Sequence, residues 1–347
     1  MGRFMPEPRT ASPAPARVLV RLPNWLGDVL MARPLLHAVR AAWPAARVLA
    51  VGPQGPCAPL VDEGLVHEFA PWTRDDTTRA AVARRASAWR PDIALVLPAS
   101  FSSAWLAWRS RAGARVGYRG EWRDALLTHV LPRSARGERH LSDEFLELGS
   151  VLGLREVAVP LLVPTADGRA AAASALVQAG VGEGAPYAVL GPRSAYGPAR
   201  EWFPARFAEA GRALTARGLR VVVCGTAAEA DTCDAVARGA GAGAVSLAGR
   251  TTLPALVALV AGARLALCND SGLAHVAAAT GAPTLQIYGS AASGWTAARG
   301  PHVRILHRAP VCSPCWRRHC VIGTRCLDAV SVAWVIQQAD ALAAEGA

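Results

Sequence analysis

The sequence predicts an α/β protein built from two Rossmann-like domains that face a central cleft. In each half of the chain, apolar runs typical of buried parallel strands alternate with helical stretches, and a glycine-containing turn joins strand to helix. Pro164–Gly168 interrupts this alternation between the halves. The chain has 347 residues, of which 52% are hydrophobic, enough for two folded domains of ordinary size.

The first unit consists of a strand predicted at 18–22, the turn 23–28 and a helix predicted at 29–42. Gly27 allows a tight turn beside Asp28. Asp28 therefore lies at the carboxyl end of a strand, where open α/β sheets bind ligands. Helix capping alone would explain an aspartate there equally well.

The rest of the first half continues the alternation. Residues 1–16 are rich in proline and alanine and predict a disordered tail, so we assign the first domain to 17–165. Further strands are predicted at 47–52, 92–98, 115–118 and 159–163, with a helix at 140–152.

The second half repeats the scheme over 166–330, followed by a terminal segment at 331–347 that is predicted to be helical from residue 330 to residue 344. Strands are predicted at 187–190, 219–224, 265–268 and 284–288, and helices at 169–179, 204–217 and 273–280. The turn Asn269–Gly272 ends a strand and begins a helix, and such a helix start offers free N–H groups to a phosphate. Asp270 and Ser271 could instead serve only as caps, and His275 by itself is more typical of a packed or surface residue.

The charge balance predicts affinity for polyanions. The formal net charge is +11, and all 37 basic residues are arginine. Arginines are dense between residues 100 and 140, either as a solvated face or as a contact with an anionic surface. Because no nucleic-acid-binding motif accompanies them, we favour peripheral contact with an anionic membrane and expect no nucleic-acid partner. The chain shows neither a signal peptide nor an apolar stretch of membrane-spanning length, which predicts a cytoplasmic protein.

Four of the eight cysteines form the pattern C-x2-C-x4-C-x5-C at Cys312, Cys315, Cys320 and Cys326. Four thiolates so close together suit a structural zinc or iron ion, and His319 is a possible substitute ligand. Reduced thiols without metal remain open, and disulfides are the least expected state in the cytoplasm.

Three stretches resemble the family 9 glycosyltransferases, the bacterial ADP-heptose:lipopolysaccharide heptosyltransferases. They are NDSGLAH (269–275) with the following LQIYGS (285–290), PNWLGDVLMARP (23–34) and GPAREW (197–202). Segments such as GYRGEWR (117–123) also look like that family, and the resemblance covers the chain from about 18 to 330.

The resemblance implies the GT-B architecture, in which the first domain binds the acceptor and the second binds the donor. The terminal helix would then cross back to brace the first domain. Asp28 is implied as the catalytic base, and Arg200 takes the place of a phosphate-binding lysine. Further donor contacts are implied for Glu229, Asp270, Ser271, Gly272 and His275, and acceptor contacts for Asn24, Ser100, Ser102, Arg119 and Arg123.

The activity implied is inverting transfer of L-glycero-D-manno-heptose from ADP-heptose to a heptose on Kdo2-lipid A, without a catalytic metal. Such an enzyme would work at the cytoplasmic face of the inner membrane of a Gram-negative bacterium. Another acceptor, such as a capsular glycan or a protein hydroxyl, is an alternative, as is a catalytically dead scaffold at the membrane. A dinucleotide-dependent oxidoreductase is disfavoured because no G-x-G-x-x-G follows the first strand.

Overall fold

The computed structural model describes residues 14–345. The tail predicted at 1–16 falls, up to residue 13, outside the described residues. Residues 14–16 lead directly into the first strand.

Each half of the chain forms a six-stranded parallel sheet, which confirms the predicted fold class. The first sheet contains β1 (Arg17–Arg21), β2 (Arg47–Gly52), β3 (Glu68–Pro71), β4 (Ile93–Val96), β5 (Ala114–Tyr118) and β6 (His129–Leu131). The second contains β7 (Tyr187–Gly191), β8 (Arg220–Val223), β9 (Ala244–Ser246), β10 (Leu265–Asn269), β11 (Thr284–Ile287) and β12 (Val303–Leu306).

The two sheets have the same topology. The strand orders are β3-β2-β1-β4-β5-β6 and β12-β11-β10-β7-β8-β9. In each sheet, successive strands are added first on one side of the first strand and then on its other side, so the strand order reverses beside that strand. Because open α/β sheets bind ligands where the order reverses, the carboxyl ends of β1 with β4 and of β7 with β10 are the expected sites.

Helices cover the faces of both sheets. Those of the first half are α1 (Leu26–Met31), α2 (Arg33–Ala42), α3 (Gln54–Asp62), α4 (Asp76–Trp89), α5 (Phe101–Arg109) and α6 (Leu141–Ser150). Those of the second half are α7 (Ala166–Gln178), α8 (Pro204–Thr215), α9 (Ala230–Ala240), α10 (Leu253–Ala261), α11 (Gly272–Thr280), α12 (Ser293–Thr296), α13 (Arg325–Asp328) and α14 (Val332–Glu345).

Two predicted elements differ from the structure. The helix predicted at 29–42 starts earlier and is divided at Ala32, because Pro34 has no N–H to bond the Leu30 carbonyl. The strand predicted at 159–163 is an extended segment without a sheet neighbour. It joins the two halves instead, since Leu162 N–H donates to the Ala279 carbonyl at 2.8 Å and Arg33 donates to the Pro160 carbonyl at 2.7 Å.

The terminal helix does not brace the first domain as the resemblance had implied. The buried side chains of α14, among them Val335 and Ile336, belong to the same apolar core as Trp202 and Phe207 of the second domain. Arg217 at the end of α8 adds a bidentate ion pair with Asp340, at 2.7 and 2.9 Å. Apolar burial against α8 and β11 therefore fixes this helix to its own domain.

Among residues 14–345, we find no helix that combines the length and the apolar character needed to cross a bilayer.

Trp202 organises the core beneath the second sheet. Its side chain is fully buried, its ring packs edge-on against Phe207 at 5.2 Å, and its indole N–H donates to the Val330 carbonyl at 2.9 Å. Its backbone N–H also donates to the Asn269 side chain at 2.8 Å. One residue thus ties α8, β10 and the start of the terminal segment together.

We expect Trp202→Ala to lower the free energy of unfolding by about 3–5 kcal/mol, because it leaves a large apolar cavity. Trp122→Ala is the matched control, since that indole is fully solvated and should change stability by less than about 0.5 kcal/mol. Urea denaturation followed by far-UV circular dichroism measures both. Equal losses in the two variants would contradict this account of the core.

Candidate active site

Helices α1 and α11 meet across the cleft between the two sheets. Each begins within a few residues of a strand's carboxyl end, and each presents a glycine to the other helix. A Cβ on Gly27 would lie 2.7 Å from the His275 ring, and a Cβ on Gly272 would lie 3.0 Å from Leu26. The missing side chains let the two helix starts approach each other closely.

A cavity of about 190 Å³ lies at this meeting point. It is lined by the Asp28 carboxylate of the first domain and by the predicted phosphate-binding turn of the second domain. The sequence-predicted residues that line it together are Asp28, Arg200, Asp270, Ser271, Gly272 and His275. The structure therefore brings together residues up to about 250 positions apart in the chain.

The Asp28 carboxyl sits in an environment that suits proton transfer near neutral pH. Burial raises its pKa to about 6, and the nearby Asp270 carboxylate acts in the same direction. The positive charges of Arg200 and Arg133 oppose this rise. A carboxylate with a pKa of about 6 is deprotonated at pH 7 and yet basic enough to accept a proton.

Arg200 is held in place by two neighbours. Its guanidinium lies 2.8 Å from the Asp270 carboxylate and 3.7 Å from the centre of the Tyr196 ring. Its Nε has no hydrogen-bond partner among the described residues, although this atom is buried. Asp270 and Tyr196 therefore hold the Arg200 guanidinium in a fixed position at the cleft, with an Nε–H donor that has no partner in the described part of the chain.

Asn269 joins the two loops that carry this ion pair. Its side chain accepts from the Trp202 backbone N–H at 2.8 Å and donates to the Pro192 carbonyl at 2.7 Å. Ser194 adds a bond to the Asp270 carbonyl at 2.8 Å. The loop before α8 and the turn before α11 are consequently one hydrogen-bonded unit.

The turn itself retains polar groups for a ligand. Burial raises the pKa of Asp270, an effect that the charge of Arg200 and the Tyr288 hydroxyl oppose. The Ser271 hydroxyl has no partner within the described chain and makes no cap bond to α11. The first N–H groups of α11, from Gly272 onwards, therefore face the cleft without a side-chain cap.

His275 is a neutral packing residue with a polar edge. Burial lowers its pKa to about 4, so the imidazole is uncharged at pH 7. Its ring fills the space that Gly27 leaves open and borders the cavity.

Glu229 lies outside the lining of the cavity. It forms a capping box in which its carboxylate accepts from the Thr226 backbone N–H at 2.8 Å and from the Thr226 hydroxyl at 2.9 Å. The Glu229 carboxylate therefore has a local structural role at the start of α9. Glu229 nevertheless stands just after β8, the neighbour of β7, on the same edge as the cavity.

The five residues implied for the acceptor follow strands of the first sheet, but none of them lines the cavity. Asn24 accepts from Arg21 at 3.0 Å, Ser100 bonds Ser103 at 2.8 Å, and Ser102 lies 3.4 Å from Ser100. Arg119 is exposed and pairs with Asp124 at 2.9 Å.

Arg123 differs from the expectation most clearly. Its side chain is fully buried, and it donates to the carbonyl oxygens of Pro98 and Ser100. Burial lowers its pKa to about 10. Arg123 therefore holds the loop after β4 and offers no exposed contact for an acceptor.

The loop that carries Arg136 closes the cavity from the first domain, and it was not predicted from the sequence. The Arg136 guanidinium packs against two indole rings of the second domain, 4.7 Å from the centre of Trp295 and 4.0 Å from the centre of Trp316. The Trp295 indole N–H in turn donates to Glu144 of α6 at 3.1 Å. The sequence contains many arginines in this region, but no signal in the sequence indicates which of them contacts the two tryptophans.

The four clustered cysteines surround a second cavity, of about 260 Å³, that adjoins the donor loop. The Thr324 backbone N–H donates to the Cys320 sulfur at 3.1 Å, and such backbone bonds lower the pKa of that thiol. Within residues 14–345, no group of three or more Cys, His, Asp or Glu side chains is arranged to hold a metal ion.

The chain matches one known protein family and is similar to described members of it. The model of glycosyltransferase family 9 (heptosyltransferase) matches residues 79–325. Lipopolysaccharide heptosyltransferase 2 of Salmonella typhimurium is 28% identical over 306 residues, which cover 84% of this chain and 87% of that protein.

Two solved structures superpose over nearly the whole chain. The E. coli ADP-heptose lipopolysaccharide heptosyltransferase II has a TM-score of 0.81 at 25% identity, covering 95% of this chain and 99% of that chain. A family 9 glycosyl transferase from Veillonella parvula has a TM-score of 0.83 at 21% identity, covering 95% and 97%, and so supports the fold alone.

The contact between α1 and α11 yields a stability test. We expect Gly27→Ala to cost about 1–3 kcal/mol, because its Cβ meets the buried His275 ring at 2.7 Å. Gly55→Ala in α3 is the control, since its Cβ would meet nothing within 4 Å and should be neutral or slightly stabilising. Urea denaturation gives the energies, and hydrogen exchange at the first amides of α11 reports the contact. Unchanged exchange in Gly27→Ala would contradict the close approach.

Proposed function

This chain belongs to glycosyltransferase family 9, the heptosyltransferases, and we propose that it transfers L-glycero-D-manno-heptose from ADP-heptose to a heptose of the lipopolysaccharide inner core. One observation carries the proposal: Asp28 of one domain and the Arg200–Asp270 pair of the other line a single cavity. Sugar transfer from a nucleoside diphosphate sugar requires a base for the acceptor hydroxyl and an anion site for the diphosphate. Here the two face each other across a cleft. The similarity to lipopolysaccharide heptosyltransferase 2 supports this choice of donor and acceptor class.

In the proposed complex, the donor diphosphate binds at the start of α11. Arg200 supplies the positive charge, held in place by Asp270 and by the Tyr196 ring. The backbone N–H groups from Gly272 onwards and the unpartnered Ser271 hydroxyl supply further donors. Glu229, after the neighbouring strand β8, is the proposed nucleoside contact.

The proposed reaction is a single displacement at the anomeric carbon. The acceptor hydroxyl oxygen forms the new C–O bond on the face opposite the leaving group, so the configuration inverts. Its proton passes to the Asp28 carboxylate, and the bond to the ADP oxygen breaks with its electron pair on ADP. General-base help of this kind gives about 10²–10⁴-fold in rate.

Preorganised donors act on the leaving group in this scheme. Negative charge grows on the departing diphosphate, and Arg200 with the α11 amides already points at that place. The neutral His275 packs beside the same turn and adds no competing charge. Arg136, packed against Trp295 and Trp316, would help to exclude water while the two domains are together.

The acceptor is proposed to enter from the first domain, residues 17–165, while residues 166–330 bind the donor. Asn24, Ser100, Ser102 and Arg119 follow strands of the first sheet and remain candidates for contacts with its outer sugars. The same geometry would serve another acceptor, such as a capsular glycan. A lipid-anchored acceptor would place the enzyme at the cytoplasmic face of the inner membrane.

We further propose that catalysis needs no metal and that Cys312, Cys315, Cys320 and Cys326 bind a structural zinc or iron ion. Three features support this second part: the four thiols surround one cavity, backbone N–H groups stabilise the Cys320 thiolate, and the segment braces the donor loop. Arg318 donates to the Tyr196 carbonyl at 2.6 Å, and the Tyr196 hydroxyl donates to the Trp316 carbonyl at 2.6 Å.

The metal proposal predicts about one zinc or iron per chain after purification, measured by elemental analysis. Cys315→Ser should lose the metal, whereas Cys57→Ser, at a buried cysteine of the first domain, should keep it. Four reactive thiols in native wild-type protein that lacks metal would reject the site.

We expect Asp28→Asn to bind ADP-heptose normally and to lose about 10²–10⁴-fold in transfer, because the base is gone and the donor site is intact. In the wild type, kcat/KM should rise with pH to a plateau above pH 6, since only the deprotonated Asp28 accepts a proton. Below pH 6, kcat/KM should fall about tenfold per pH unit.

Arg200→Ala is the complementary variant. It should weaken ADP binding by roughly 10- to 150-fold, the range expected for lost charge-assisted bonds. Calorimetry measures binding and a radiolabelled-sugar assay measures transfer. Normal turnover by Asp28→Asn would exclude Asp28 as the base, and normal ADP affinity in Arg200→Ala would exclude the phosphate site.

A further inference from the structure

Helix α5 of the first domain carries an aromatic face that no other part of the described chain covers. Phe101 and Trp108 are each 47% exposed, and Trp105 between them is half-buried. The spacing i, i+4, i+7 places these three rings along one side of the helix. The opposite side packs on the sheet through Ser103, Ala104, Leu106 and Ala107, which are buried.

Trp122 extends this stripe at the start of the helix. The turn that carries it is fastened to α5, because the Phe101 backbone N–H donates to the Glu121 carboxylate at 2.7 Å. Trp122 has a left-handed backbone, with φ near 57°, and its side chain is 99% exposed. A strained turn that holds a large apolar ring entirely in water points to a partner outside the chain.

Basic residues are frequent in the part of the sequence that contains α5. Residues 74–136 contain twelve arginines and five acidic residues, a formal +7 of the chain's +11. Arg109 and Arg111, at the end of α5, are exposed and form no ion pair within the described residues. The Arg109 guanidinium lies 5.8 Å from the Trp105 ring, so positive charge directly borders the aromatic face.

We propose that Phe101, Trp108, Trp122, Arg109 and Arg111, here called the α5 surface, dock on the anionic headgroup layer of a phospholipid bilayer. Tryptophan is enriched where headgroups meet acyl chains, and nearby arginines attract anionic lipids.

The position of the α5 surface relative to the cavity relates docking to the proposed sugar transfer. It rests on the proposed function, in which the acceptor is anchored in a membrane. Helix α5 and the Trp122 turn follow β4 and β5, and β4 pairs directly with β1, whose carboxyl end leads to Asp28. Neighbouring strands lie about 5 Å apart, so Phe101 and Trp122 share one edge of the sheet with the proposed base, while Trp108, Arg109 and Arg111 lie where α5 runs back towards the opposite edge. Docking there would present the cleft to sugars that protrude from the bilayer.

The test is sedimentation of full-length protein with vesicles of phosphatidylglycerol and phosphatidylethanolamine, with phosphatidylcholine vesicles for comparison. Trp108→Ser/Trp122→Ser should weaken binding to the anionic vesicles roughly tenfold or more through lost apolar burial. Arg109→Gln/Arg111→Asn should weaken it about fivefold per arginine, and added salt should remove that difference. Asparagine suits the left-handed backbone of Arg111, with φ near 62°.

Matched controls lie on the second domain. Val177→Ser removes an exposed apolar residue, and Arg169→Gln/Arg238→Gln removes two exposed charges. Both should bind vesicles like the wild type. All variants should bind ADP like the wild type in calorimetry and should transfer normally to a deacylated, water-soluble acceptor. Only the α5 variants should lose transfer to the lipid-anchored acceptor.

The outcomes separate the two proposals. Equal vesicle binding by wild-type and α5 variants would overturn the docking surface while leaving the sugar transfer intact. Vesicle binding that needs the α5 surface, in a protein with no transferase activity, would reject the proposed function alone. A wild-type dimer that Trp108→Ser/Trp122→Ser dissociates in sedimentation velocity would assign the surface to a second copy and overturn membrane docking.

Discussion

The close contact between α1 and α11 is the constraint on which the rest of this structure depends. Both helices begin at carboxyl ends of central strands, and glycines at 27 and 272 let the two starts meet. Ties on either side support the contact: the His140 ring binds the Ala297 carbonyl at 2.8 Å, and Arg299 forms a bidentate pair with Asp143 at 2.6 and 3.0 Å. Only this approach places Asp28 opposite the Arg200–Asp270 pair.

The electrostatics of the cavity follow from that packing. Burial raises the pKa of both Asp28 and Asp270, and the negative charge of Asp270 raises that of Asp28 further. Arg200 opposes this for each of them, so a proton acceptor and a phosphate site can coexist in a small volume. The same guanidinium is kept in position by Tyr196, whose loop is held by the cysteine-bearing segment. A segment that takes no part in the proposed chemistry thus supports the group that binds the leaving phosphate.

Arginine has more than one role in this structure. In the second domain, Arg200, Arg206 and Arg217 each pair with a carboxylate and fix loops or helices in place. In the first, Arg119 pairs with Asp124, whereas Arg109 and Arg111 face solvent beside exposed aromatic rings and Arg136 packs against two indoles. Buried or paired arginines stabilise local geometry, whereas those left free are the ones proposed to contact an anionic surface. The net charge of the chain is therefore less informative about binding than the partner of each individual arginine.

The sequence by itself determined the parallel α/β class, the repeated strand–turn–helix order and the placement of Asp28 and Asp270 at strand ends, because periodicity and glycine-containing turns are local signals. The tertiary structure alone decided that α14 packs on its own domain and that Arg123 is buried. It also decided that Arg136 meets Trp295. These outcomes depend on which distant segments compete for the same surface, for which spacing along the chain carries no information. The aromatic stripe on α5 likewise became visible only once packing showed which rings remain uncovered.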